Sequence, residues 1–292
     1  MFGRQQYNLH VVFLNSILGE VVSHKYHFIS GLPRSGSTLL AALLRQNPRF
    51  HAGMSSPVVG LFSLASSHLS SGHELYANIS DTSRFNVLRG LFDSYYLDIK
   101  GKDVIFDTGR AWTSKMGVLH TILPGSMTIC CVRPATEIVA SIENLIDRSP
   151  LEISGIFDNK SEANIYIRCE QLKSSKGIIG SALLNLKDAF YGKFSDNLIL
   201  VNYTSLAREP IGVLKAIYDF IDEPWFEHNP DHVYYEADAF DQSIGAKGLH
   251  RVEGPVAPRQ REVKLPPEII QIFKQSDFWM DQNNNVNNVR II

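Results

Sequence analysis

GLPRSGST, residues 31–38, follows the apolar run Tyr26, His27, Phe28, Ile29, Ser30 and leads into Leu39, Leu40, Ala41, Ala42, Leu43 and Leu44. A strand, a glycine-bearing loop and a helix in that order form the arrangement in which backbone N–H groups and a helix N-terminus hold a phosphate. The spacing matches the nucleotide loop G-x-x-x-x-G-K-[ST], except that Ser37 stands where the lysine that reaches the β/γ-phosphates belongs. The cation inside the loop is Arg34, and Ser35, Gly36, Ser37 and Thr38 complete a set of donors around it. Glycines and hydroxyls kept beside a displaced charge suggest a nucleotide with a different phosphate arrangement, such as an adenosine diphosphate carrying a sulfuryl group. The competing reading is a plain turn between a strand and a helix.

Further apolar runs lie at Val104–Phe106, Met127–Val132 and Leu198–Val201, each short and unbroken as in strands buried on both faces. Helical patterns separate them, over Val58–Leu69, over 81–99 with Phe85, Leu88, Leu91, Phe92 and Tyr95 on one face, and over Glu162–Phe190 as one helix or two. Residues 51–57 and 154–160 have loop composition. This alternation predicts an α/β fold, a P-loop-like three-layer sandwich with a central parallel sheet. The domain is expected over 26–280, with residues 1–25 a helical or irregular extension and 281–292 a tail whose Asn-rich run frays.

With 292 residues, 44% hydrophobic and 20% charged, the chain suits one large globular domain. A net charge of −2 argues against a general electrostatic grip on nucleic acid. The apolar patch Leu9–Leu14 is interrupted by Asn15, Gly19 and Glu20, well short of the roughly 20 residues of a membrane span; a weak signal peptide is the minority reading. Cys130 and Cys131 fall inside an apolar run and imply no disulfide framework, so a reducing, cytoplasmic location is expected. No dense Cys/His/Asp cluster with metal-ligand spacing appears, so no metal is expected.

In open parallel sheets ligands sit beyond the carboxyl ends of the strands. Those positions hold GLPRSGST, then Asp107, Thr108, Gly109 and Arg110, then Arg133 and Pro134, and finally Asn202, Tyr203 and Thr204. Polar groups at four strand ends converge on one rim. Asp107 is there the positional candidate for a general base, with His51 and His250 as rivals; its alternative is a structural acceptor of hydrogen bonds or a partner of Arg110. Ser141 sits beside the apolar face Ile138, Ile142, Leu145 and Ile146 of the helix that follows Arg133.

Here the chain resembles the sulfotransferase superfamily, including its bacterial-type members, whose phosphosulfate loop has the form P-[RK]-S-G-[ST]-[ST]. CVRPATEIVAS matches the block in which an arginine and a later serine bind the 3′-phosphate of 3′-phosphoadenosine-5′-phosphosulfate (PAPS), and so implies that role for Arg133 and Ser141. LILVNYTSLAREPIGVLKAIYDFIDEPW resembles the next block and places Tyr203 near the adenine and 3′-phosphate; its alternative is a tyrosine at the core edge. GAKGLHRVEGPVAPRQREVKLPP supplies Lys247, His250, Arg251, Arg259 and Arg261, where relatives close a basic glycine loop over the 3′-phosphate. Lys247 and Arg251 are the candidates, and a solvated basic loop is the alternative. Two departures stand out: the catalytic glutamate of tyrosylprotein-type relatives is Ser55 here, and the lysine-threonine-histidine of cytosolic ones is Asp107, Thr108, Gly109.

The resemblance implies transfer of a sulfuryl group from PAPS to a hydroxyl of a small-molecule, lipid or carrier-bound acceptor, with Arg34 at the sulfuryl and no metal. A nucleotide kinase with a degenerate loop would need Mg²⁺ and an acidic ligand, for which Asp107 is the strand-end candidate. A non-catalytic nucleotide-binding protein that keeps the loop for stability is the remaining alternative.

Overall fold

The computed structural model describes residues 24–70, 79–148, 164–243, 248–258 and 264–292. In chain order its first half contains β1 (Lys25–Gly31), α1 (Ser37–Leu44), β2 (Phe50–Ala52), α2 (Val58–His68), α3 (Asp81–Tyr95), β3 (Val104–Thr108), α4 (Met116–Ile122), β4 (Thr128–Val132) and α5 (Ala135–Arg148). The second half adds α6 (Ile165–Lys173), α7 (Ile178–Tyr191), β5 (Leu198–Asn202), α8 (Tyr203–Arg208), α9 (Pro210–Ile221), β6 (Val233–Tyr235), α10 (Asp238–Ser243), β7 (Val252–Gly254), α11 (Pro267–Lys274) and β8 (Arg290–Ile291). The main sheet has the order β2-β3-β1-β4-β5-β8, with every neighbouring pair parallel. β6 and β7 form a separate antiparallel pair.

Alternation along the strands explains the unbroken apolar runs. Tyr26 and Phe28 of β1 point to one face and pack with Phe62, Phe92 and Trp112, whereas Ile29 points to the other and meets Leu40 and Leu43 of α1 and Ile217 of α9. In the same way Cys130 and Val132 of β4 face α5, α7 and α11, and Ile129 and Cys131 face α1 and α9. Helices therefore cover both faces, the expected three layers. Each fully buried Phe or Leu stabilises the fold by roughly 1.5–3 kcal/mol relative to exposure.

Gly31 ends β1 at φ 139°, and a Cβ there would lie 2.2 Å from the Cys131 carbonyl oxygen, so β1 and β4 approach closely because this residue has no side chain. The turn that follows, and hence the phosphate-type loop, starts from that close approach.

Three findings differ from the sequence expectation. Residues 50–52 are an edge strand, too short to register in the loop composition of the segment. The hairpin of β6 and β7 had no periodic signal either. Of the two readings of 162–190, the two-helix one holds: the chain turns between α6 and α7 at Gly177, where a Cβ would lie 1.9 Å from the Gln171 carbonyl oxygen. The Asn-rich tail does not fray. Asn285 exchanges hydrogen bonds of 2.8 and 2.9 Å with the Val289 backbone, Asn287 Nδ2 donates to the Phe190 carbonyl at 3.1 Å, and β8 extends the sheet beside β5. Amide side chains there saturate backbone groups that would otherwise compete for water. The extension over residues 1–23, the loop at 154–160, Lys247, Arg259 and Arg261 lie outside the described residues.

Candidate active site

The carboxyl ends of β1, β3, β4 and β5 open into a cavity of about 470 Å³. Its floor is the loop 31–38 with the N-terminus of α1; Thr108, Gly109 and Arg110 form one side, Arg133 and Tyr203 the other, and Leu249 to Ala257 the outer wall. Gly36 stands at the N-cap of α1 with φ 93°, where a glycine leaves the first-turn N–H groups of the helix unobstructed. Ser37 and Thr38 of that first turn line the cavity as well.

Arg34 also has a left-handed backbone, φ 59°, which costs a side-chain-bearing residue on the order of 1 kcal/mol. Arg133 Nη1 donates to its carbonyl at 3.3 Å and so braces the strained residue. The Arg34 side chain spans the cavity, with Nε donating to Ser141 Oγ at 3.3 Å and Nη1 to the Leu249 carbonyl at 3.1 Å. Ser141 is buried one layer behind the wall and joins the group through Arg34. Ser35 is buried too, its hydroxyl donating to the Leu32 carbonyl at 2.5 Å, so its side chain shapes the loop and only its backbone N–H is left for an anion.

Arg133 lies 4.5 Å above the Tyr203 ring and pairs with Glu137 through Nε at 2.9 Å. A stack of this kind contributes about 0.5–2 kcal/mol and holds the guanidinium plane fixed. Asn202 sets Tyr203 at the start of α8, because its side chain accepts from the Thr204 N–H at 2.8 Å. Tyr203 in turn explains Gly36: a Cβ at that glycine would sit 2.8 Å from Tyr203 Cδ2. Arg251 lines the outer wall, exposed and paired with Glu253 at 2.8 Å. Arg34, Arg110, Arg133 and Arg251 thus face a cavity whose lining, among the described residues, holds one carboxylate, Glu253. That imbalance gives the cavity an excess of positive charge, which an anion would meet favourably.

Asp107 lies elsewhere. Its side chain is wholly buried and absent from the cavity lining, and it accepts from Ser56 Oγ at 2.7 Å, Tyr96 OH at 2.6 Å and Trp112 Nε1 at 2.7 Å. Burial pushes its pKa up, while the three donors pull the other way. A carboxylate so enclosed has no path to an acceptor hydroxyl, and this is the geometry of a structural acceptor. His51 lines a second cavity of about 360 Å³ with Arg45, Tyr95, Tyr96, Lys102 and Tyr235; burial first, then the positive charges of Arg45 and Lys102, lower its pKa. Ser55, the position of the glutamate in tyrosylprotein-type relatives, lines both cavities. His250 lines the first. Reasoning from sequence passed over Arg110 as a ligand, although its place just past β3 marks it, and over Phe240, which carries no local signal.

Residues 27–227 match the model of the sulfotransferase family, and the chain belongs to that family. It is an enzyme of that class, and its activity is sulfuryl transfer. No curated protein matches it in sequence. Among solved structures it is similar to a sulfotransferase from Alicyclobacillus acidocaldarius, at 10% identity and TM-score 0.52, with 92% of this chain and 97% of that one covered. The sulfotransferase domain of the curacin biosynthetic pathway superposes at 15% identity and TM-score 0.46 over 70% of this chain and 75% of that one. The corresponding domain of the Synechococcus PCC 7002 olefin synthase gives 20% identity and TM-score 0.43 over 70% and 76%. The first of these carries the likeness of fold. Among the described residues no helix is long and apolar enough to cross a membrane.

Proposed function

We propose that the chain is a cytoplasmic enzyme that transfers the sulfuryl group of PAPS to a hydroxyl of a small-molecule, lipid or carrier-bound acceptor. The observation that carries this reading is the set of arginines around the N-terminus of α1, opposed among the described residues by a single carboxylate that Arg251 already engages. Such a site suits a ligand with phosphate and sulfuryl groups at both ends. In this reading the N–H groups of 35–38 and Arg34 hold the 5′-phosphosulfate, and Arg133, with Ser141 behind Arg34, faces the 3′-phosphate. Tyr203 orients the nucleotide, and Arg110 neutralises charge from the β3 side. These fixed cations and dipoles stabilise the charge that moves onto the departing 5′-phosphate during in-line transfer. Lys247 joins the set as a proposal from resemblance alone. Free, buried thiols at Cys130, Cys131 and Cys169 suit the cytoplasm.

The kinase alternative is less well supported. It needs an acidic Mg²⁺ ligand at the cavity, and Asp107 is enclosed by Ser56, Tyr96 and Trp112 instead. Calorimetric titration with adenosine 3′,5′-bisphosphate, against ATP with Mg²⁺, tests the reading. Tighter binding of the bisphosphate is expected; equal or tighter binding of ATP overturns it.

A further inference from the structure

α10 brings Asp241 to the back of the outer cavity wall, where its carboxylate is completely buried. Both oxygens serve one residue. Oδ2 accepts the His250 backbone N–H at 2.9 Å, and Oδ1 lies 2.5 Å from His250 Nδ1. An ionised carboxylate only accepts, so Nδ1 is the nitrogen that donates to it, and whenever the ring is neutral the lone pair falls on Nε2. Phe240 packs edge-on against the imidazole at 5.4 Å and 71°, fixing it from a second direction. The ring lines the cavity, and the adjoining Leu249 carbonyl receives Arg34 Nη1. One short stretch of backbone therefore carries both the histidine and the anchor of the loop arginine.

We infer that His250 is the proton acceptor for the attacking hydroxyl and that Asp241 is its positioning residue. The inference rests on the sulfuryl-transfer reading. Nε2 takes the proton of the acceptor O–H while that oxygen's electron pair forms the new S–O bond. The S–O bond to the 5′-phosphate breaks, and its electron pair leaves on adenosine 3′,5′-bisphosphate. Asp241 balances the imidazolium that results, which later returns its proton to solvent. Other charged groups face the ring as well. Arg34 reaches the same wall at the Leu249 carbonyl, Arg110 and Arg133 line the same cavity, and Arg251 with Glu253 shares the wall. Neither Asp107, enclosed off the cavity, nor His51, in the second cavity, has this placement.

The test uses the full chain with PAPS and a panel of alcohols, with water as the generic acceptor, and follows release of adenosine 3′,5′-bisphosphate. His250→Gln is expected to lower kcat by about 10²–10⁴-fold and to abolish the limb of the pH profile that rises with pH. Its dissociation constant for the bisphosphate should stay within about twofold of wild type, since uniform binding is untouched. Asp241→Asn should lower kcat by up to about 10⁴-fold, because an amide favours the wrong tautomer. Nitrogen-15 NMR of the wild-type ring supplies a readout free of the acceptor: protonated Nδ1 and bare Nε2 are expected, and loss of that pattern in Asp241→Asn. A folded His250→Gln enzyme with the wild-type rate, or a ring protonated on Nε2, overturns the inference. Failure of the wild-type chain to bind the bisphosphate overturns instead the reading on which it rests.

Discussion

Replacing Asp107 by alanine strands three donors, Ser56 Oγ, Tyr96 OH and Trp112 Nε1, that now share its carboxylate. The two hydroxyls can turn toward other acceptors; the indole N–H, on a residue with no exposed surface, cannot. A stranded buried donor costs about 1–3 kcal/mol, so with the lost charge-assisted bonds Asp107→Ala should lose roughly 3–6 kcal/mol of stability. Asp107→Asn behaves differently. Its amide oxygen can accept from Trp112 while its N–H groups donate to the Ser56 and Tyr96 oxygens, which rotate to receive them. The cost should fall to about 1–2 kcal/mol, the difference between charge-assisted and neutral bonds. Urea unfolding followed by tryptophan fluorescence measures both variants, and kcat is taken per mole of folded enzyme. The expected result is a graded loss of stability, alanine far worse than asparagine, with kcat of Asp107→Asn within a few-fold of wild type. A stable Asp107→Asn variant with kcat reduced a hundredfold or more would refute the structural role and restore this carboxylate as the base.

Arg34→Ala removes the cation that spans the cavity, and turnover should fall by about 10²-fold or more, the scale of one lost preorganised donor; near-native kinetics would make the loop structural. Arg133→Ala should raise the dissociation constant for adenosine 3′,5′-bisphosphate more than it lowers kcat, because contacts remote from sulfur act equally in ground and transition states; Ser141→Ala, which removes the hydroxyl that accepts from Arg34 Nε, should follow Arg34→Ala in direction with a smaller loss, and calorimetry beside steady-state rates decides both. Asp277, which accepts the Ala135 N–H at 2.8 Å at the start of α5, has its pKa pushed up to about 6, chiefly by burial. Because that value exceeds the unfolded one, its contribution is full below about pH 4 and declines as pH rises toward 6. Asp277→Asn should therefore flatten the stability profile in that window and raise the midpoint of urea unfolding at pH 7; a profile as steep as wild type would exclude the assignment.

How much of this was legible in the chain depends on the range of each signal. The strand of Phe28 and Ile29 could be read because burial on both sheet faces leaves an uninterrupted apolar run, a purely local pattern. Gly31, Arg34 and Gly36 could be read because a tight turn confines its residue types to a few adjacent positions. The three-residue β2 and two-residue β8 are held by their neighbours' backbones, so their own side chains carry little of the information. Asp107 shows the same limit at the site. Its position at a strand end suggested the cavity rim, yet the direction of its side chain is set by Tyr96 and Trp112, whose approach is a tertiary matter. His250 stood out as a loop histidine, but its pairing with Asp241 spans residues 241–250 across two different local structures and has no periodicity to betray it.

The cysteines give the protein a built-in reporter of its own opening. Cys130 and Cys131 occupy consecutive positions of β4 and face opposite layers, and Cys169 lies on the peripheral helix α6; all three are buried. Burial also keeps the thiols protonated, with Cys131 pushed up to about 12 and Cys169 to about 11. Reagents that attack thiolates should be blind to the native state and modify each site only when its layer separates. Cys169 then records detachment of the outer helix. The two β4 thiols record parting of the sheet on one face and on the other. Because β4 ends next to Arg133, an occupied anion site should slow the central pair more than the peripheral one, so labelling rates would map which layer the ligand holds shut.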